Sequence, residues 1–86
     1  MLGRTRMGWD WAGEYPIFVY MNYISRGTWK VRVVKGKKGN QNAPGYGPTA
    51  KPWMTFTTNN AISRHDVVRQ ATACATFKLN EEGCLC

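Results

Sequence analysis

Twelve Lys and Arg residues stand against five Asp and Glu in the 86-residue chain, and their placement tells more than their number. Residues 26–51 hold Arg26, Lys30, Arg32, Lys35, Lys37, Lys38 and Lys51 with no acid among them. Residues 1–25 (Arg4 and Arg6 against Asp10 and Glu14) and residues 52–86 (Arg64, Arg69 and Lys78 against Asp66, Glu81 and Glu82) each balance, so the whole formal charge of +7 lies in the middle third. Guanidinium and ammonium groups gathered in this way meet phosphate oxygens and steer polyanions toward a surface. The plain structural alternative is a loop kept hydrated by its lysines.

Other chemistry finds little to work with. His65 is the single histidine and adjoins Asp66. Neighbouring positions on a helix do not face each other, so the pair makes no proton relay. The five acids offer no spaced pair suited to general acid–base work. Gly36-Lys37-Lys38-Gly39 lacks the Gly-Lys-Ser/Thr ending of a phosphate-binding loop and reads as a basic turn. Cys74, Cys84, Cys86 and His65 sum to four possible ligands, but their spacing matches none of the usual zinc patterns. The expectation is a non-enzymatic protein with no metal and no cofactor.

An odd cysteine count, two of the three within the last three residues, is not a disulfide framework and points to a reducing compartment. Gly8, Asp10, Gly13 and Glu14 interrupt any apolar signal-peptide core, so a cytoplasmic location is expected. The longest apolar run, Ile17 to Met21, is far short of the ~20 residues of a bilayer helix, so no membrane partner is expected.

The elements that must position the basic residues follow from periodicity. Pro16 to Ile24 is rich in β-branched and aromatic residues and predicts a strand. Ser25-Arg26-Gly27 is a turn, and Thr28 to Lys35 alternates, with Trp29, Val31 and Val33 on one face and Thr28, Lys30 and Arg32 on the other. Residues 36–51 form a long basic Gly/Pro loop. Pro52 to Thr58 predicts a third strand, with Met54 and Phe56 facing one way and Trp53, Thr55 and Thr57 the other. Ser63 and Asp66 resemble a capping pair; Val67, Ala71, Cys74, Ala75 and Leu79 then recur at helical spacing, and Gly83 suits the helix end.

The resulting architecture is α+β, a β-β-β-α chain in which a three-stranded antiparallel sheet carries one C-terminal helix on one face. Residues 1–15 read as an irregular N-terminal arm, with a fourth strand as the alternative that would change which face is free, 16–80 as a single domain and 81–86 as a tail. The helix is expected to cover Val19, Met21, Trp29, Val31, Val33, Met54 and Phe56. The opposite face then displays Tyr20, Asn22, Lys30, Arg32, Trp53, Thr55 and Thr57, with Arg26, Lys35, Lys37 and Lys38 gripping phosphates from the loops. Such a face suits nucleic acid, because cations meet phosphates, Thr and Asn bond phosphates or base edges, and rings stack. Of the four tryptophans, Trp29 is expected in the core. Trp53 serves either ligand contact or packing, and Trp9 and Trp11 project to one side of an extended segment to staple the arm or bind a partner.

The run Gly27-Thr28-Trp29-Lys30-Val31-Arg32-Val33, a polar loop, and Phe56-Thr57-Thr58 leading into a helix resembles the AP2-type domains and integrase arm-binding domains over residues 17–79. The resemblance implies a three-stranded sheet backed by a helix and inserted in the major groove of DNA. It places Lys30 and Arg32 at groove-facing positions of the second strand and Thr55 and Thr57 at those of the third. The loop before Pro52 is longer than those families usually carry, and Trp53 is bulky for a groove-facing sheet.

The function expected is therefore a small nucleic-acid-binding protein acting on duplex DNA before RNA. Two alternatives share the charge balance: a virus- or mobile-element-encoded effector that inhibits an acidic protein surface, and a structural subunit of a large assembly. Oligomeric state is not legible from these residues.

Overall fold

The computed structural model describes residues 5–42 and 51–80. Four strands, β1 (Arg6–Ala12), β2 (Tyr15–Ser25), β3 (Thr28–Lys35) and β4 (Met54–Thr57), precede one helix, α1 (Arg64–Asn80). All neighbours pair antiparallel in the order β1-β2-β3-β4, and α1 lies across one face. The α+β sheet-plus-helix architecture expected from periodicity holds, with one more strand than expected.

That strand corrects the reading of residues 1–15 as an irregular arm. Residues 6–12 pair with β2 from Arg6↔Met21 to Ala12↔Tyr15, and Gly13-Glu14 makes the two-residue hairpin loop with Gly13 at φ +65°. Gly8 looks like a strand breaker in the sequence, yet its missing side chain is what lets α1 approach. A Cβ there would overlap Cγ2 of Val68.

The side facing α1 holds the main core. Ile17, Val19 and Met21 of β2 and Val31 and Val33 of β3 are fully buried with Val67, Ala71 and Ala75 of the helix, while Met54 and Phe56 pack at the margin. Each fully buried aliphatic side chain contributes about 1.5–3 kcal/mol relative to exposure. Small alanines on α1 bring its axis close to the sheet. Cys74, which helical spacing assigns to the buried stripe, is half-buried beside Trp53, Met54 and Phe56.

The helix start follows its sequence signal. Ser63 Oγ accepts from the Asp66 N–H at 3.3 Å, and Asp66 Oδ2 accepts from the Ile62 N–H at 3.1 Å, satisfying two donors at the first turn. The crossover from β4 into α1 is tied to the β2–β3 hairpin. Thr58 Oγ1 accepts from the Trp29 N–H (2.9 Å) and donates to Gly27 O (3.2 Å), and Trp29 Nε1 donates to Ala61 O (2.9 Å). Gly27 has φ +81°, and a side chain there would press on the Asn60 backbone.

Of the loop expected over 36–51, residues 36–42 begin by extending the ladder. The Gly36 N–H donates to Pro16 O and the Gly39 N–H to Glu14 O, both at 2.8 Å, and Lys38 pairs with Glu14 at 3.3 Å. Residues 43–50, the tail with Cys84 and Cys86, and the expected helix-ending Gly83 lie outside the described residues. Among the described residues no helix is long and apolar enough to cross a membrane.

Candidate nucleic-acid interface

Register places the face turned away from α1 residue by residue. One row crosses all four strands as Met7, Tyr20, Arg32 and Thr55. The row on one side of it carries Asn22, Lys30 and Thr57, and the row on the other carries Trp9, Phe18 and Val34. Trp11 follows, opposite Pro16. Lys30, Arg32, Thr55 and Thr57 therefore come together as two adjacent cross-strand pairs, as alternation predicts. Lys30, Thr55 and Thr57 are exposed and Arg32 is half-buried.

The face divides into two chemical halves. On β3 and β4 it is cationic and hydroxyl-bearing. On β1 and β2 it is aromatic: Phe18 and Tyr20 form a small second core with Val34 of β3, at 2%, 4% and 6% exposure, and Trp9 at 43% and Trp11 at 37% flank it. Trp9 lies tilted over Phe18 at a centroid distance of 6.4 Å and meets Trp11 edge-to-face at 5.7 Å. Tyr20 joins the halves, since it lies directly opposite Arg32. Burial raises its phenol pKa above the usual tyrosine value, and the Arg32 charge pulls the other way. No strand residue described on this face is a carboxylate; Asp10 pairs with Ile17 and so belongs to the helix side.

Two of the expected site residues are elsewhere. Trp53 precedes β4, with its N–H donating to Val33 O at 2.7 Å, and it packs on the helix-side core instead of lying beside Thr55 and Thr57. Strand alternation fails there because β4 begins only at Met54. Lys35 also faces that side, because it pairs with Ile17. Its Nζ sits 4.6 Å from the Tyr15 ring centroid and 5.4 Å from that of Trp53, and Lys78 Nζ lies 5.4 Å from the same indole. Trp53, Cys74 and Lys78 help line a shallow groove of about 390 Å³ between β4 and α1.

The remaining basic residues flank the face. Arg26 is exposed in the β2–β3 turn at one end of β3, and Lys37 and Lys38 are exposed beyond its other end. Lys51 is exposed before β4. Trp9 and Trp11, expected to project to one side of an extended segment, do so from β1, and Met7 joins them as a contributor that the sequence reading does not single out. The alternation Met7-x-Trp9-x-Trp11 carries the signal, masked by the glycines around it.

Comparison with protein-family models, with curated proteins and with solved structures finds no match to this chain.

Proposed function

We propose that the protein is a non-enzymatic nucleic-acid-binding protein and that the exposed residues of the sheet face turned away from α1 are its binding surface. The observation that carries this reading is the pairing of Lys30 with Thr57 and Arg32 with Thr55 on one face, beside exposed indoles and with no carboxylate among the described strand residues of that face. The cations supply phosphate contacts and the threonine hydroxyls bond phosphates or base edges. Arg26 and Lys37 extend the positive potential past both ends of β3, while Lys38 beside Lys37 is paired with Glu14.

Fluorescence anisotropy of labelled oligonucleotides across a salt series tests it. Binding at micromolar concentration or tighter, weakening linearly in log–log salt with a slope of about −4 to −6, supports about four to seven neutralised phosphates on a duplex or about six to nine on a single strand. No binding at low salt rejects the reading.

One observation favours a second reading, in which the face docks an acidic protein surface as an inhibitor would. Met7, Trp9 and Trp11 together form an exposed apolar patch, and such patches mark protein contacts as well as ring stacking. A stable partner captured at low salt, with no nucleic-acid binding, selects it. An assembly subunit whose arm orders only on assembly is less well supported, because residues 6–12 pair with β2 within the single chain.

A further inference from the structure

We infer that the sheet face turned away from α1 takes single-stranded nucleic acid, with an unstacked base on Trp9 and phosphates on Arg32 and Lys30. This rests on the nucleic-acid reading above and narrows it to one class of ligand.

Width argues against duplex insertion. Strands lie about 4.8 Å apart, so a three-stranded sheet spans about 10 Å between its outer axes and fits a major groove about 12 Å wide. β1 raises that span to about 14 Å, and Trp9 and Trp11 stand up from the added outer strand. A sheet of that breadth, carrying two indoles on its added edge strand, does not enter the groove as a three-stranded face does.

The same indoles have a use on a single strand. Bases inside a duplex already stack on one another and present only their edges, whereas an unpaired base offers its whole π-face to an aromatic side chain. Trp9 is flanked by Phe18 across the strand pair and by Trp11 along β1, so less side-chain freedom remains to be lost on binding. Trp9 and Arg32 are two strands and two residues apart, about 12 Å from backbone to backbone, so a base on the ring and a phosphate on the guanidinium are reached by neighbouring parts of one strand. Phe18 and Tyr20 of β2 lie between them in the register.

Charge selects this occupant over another apolar surface. A second copy of the chain would bring its own +7 against the first, and the cationic half of the face would remain unmatched. A flexible polyanion with aromatic bases matches both halves at once.

The test titrates the intact protein against labelled single-stranded DNA, single-stranded RNA, duplex DNA and polyglutamate at one salt concentration, following anisotropy and tryptophan fluorescence. The expected result is at least tenfold tighter binding to one or both single strands than to duplex, with quenching of indole emission on single strands. Trp9→Ala weakens single-strand binding by about 5- to 150-fold, and Trp9→Phe recovers much of the loss. The wild-type comparison needs no variant to fold, and circular dichroism checks the substituted proteins. Equal or tighter binding to duplex overturns the inference while leaving the nucleic-acid reading in place. Trp9→Ala binding single strands as tightly as wild type overturns it as well. Binding to polyglutamate and to no nucleic acid overturns both.

Discussion

Gly8 of β1 lies directly beneath Val68 of α1, so close that a methyl group on Gly8 would overlap the valine Cγ2. This one contact fixes the orientation of the first strand. With Gly8 turned toward the helix, alternation turns Met7 and Trp9 outward, and the aromatic half of the face opposite α1 follows.

Gly8→Ala is therefore expected to destabilise the fold by about 1–3 kcal/mol through overpacking. Val68→Ala in the same chain relieves the overlap, so urea denaturation of the two single variants and the double variant gives a favourable coupling energy. Simple additivity would mean that the helix shifts freely over β1.

Thr58 is buried and serves both the Trp29 N–H and Gly27 O. Thr58→Val keeps the shape and removes both bonds, leaving a buried donor without its partner. The expected cost is about 1–3 kcal/mol, read from the urea midpoint. A neutral substitution would show that the crossover into α1 is held by packing alone.

Much of this fold is legible in the sequence, for identifiable reasons. Thr28 to Lys35 alternates without interruption, so its two faces and the placement of Lys30 and Arg32 follow from period two. The helix is marked by its Ser63–Asp66 start and by the Val67, Ala71, Ala75 spacing. β1 was hidden because Gly8 carries no side chain to declare a face, and because Gly13 and Pro16 resemble breaks when they are a hairpin loop and a strand entry. Trp53 misleads for the opposite reason. It continues an alternating pattern on paper, but β4 starts after it and its indole goes to the large apolar side.

Lys35 and Lys30 differ by face, not by charge, which separates the interface from mere basicity. Lys30→Gln is expected to reduce the salt slope of single-strand binding by about 0.7, one phosphate's worth. Lys35→Gln leaves the slope unchanged and instead lowers stability by about 0.5–1 kcal/mol through the lost contacts with Tyr15 and Trp53. Anisotropy across salt and urea denaturation separate the two outcomes. Equal slope changes for both variants would mean that binding ignores the face.

The raised pKa of Tyr20 carries a pH dependence whose sign is determined. The unfolded chain releases this proton first as pH climbs, so the contribution of Tyr20 is intact below about pH 10 and is lost as pH rises through the folded value. Between pH 9 and pH 11, the wild type should lose more stability than Tyr20→Phe when both are measured in urea. Parallel losses would mean that Tyr20 titrates like an exposed phenol.

The most direct test of the face opposite α1 as the binding surface is amide chemical-shift mapping of the isotopically labelled protein with a single-stranded oligonucleotide. The account predicts that the largest shifts fall on Met7, Trp9, Tyr20, Lys30, Arg32 and Thr55, including the Trp9 indole N–H, and spare Arg69 and Ala73 on the outward side of α1. Shifts concentrated on α1, with Trp9 and Arg32 unmoved, would contradict it.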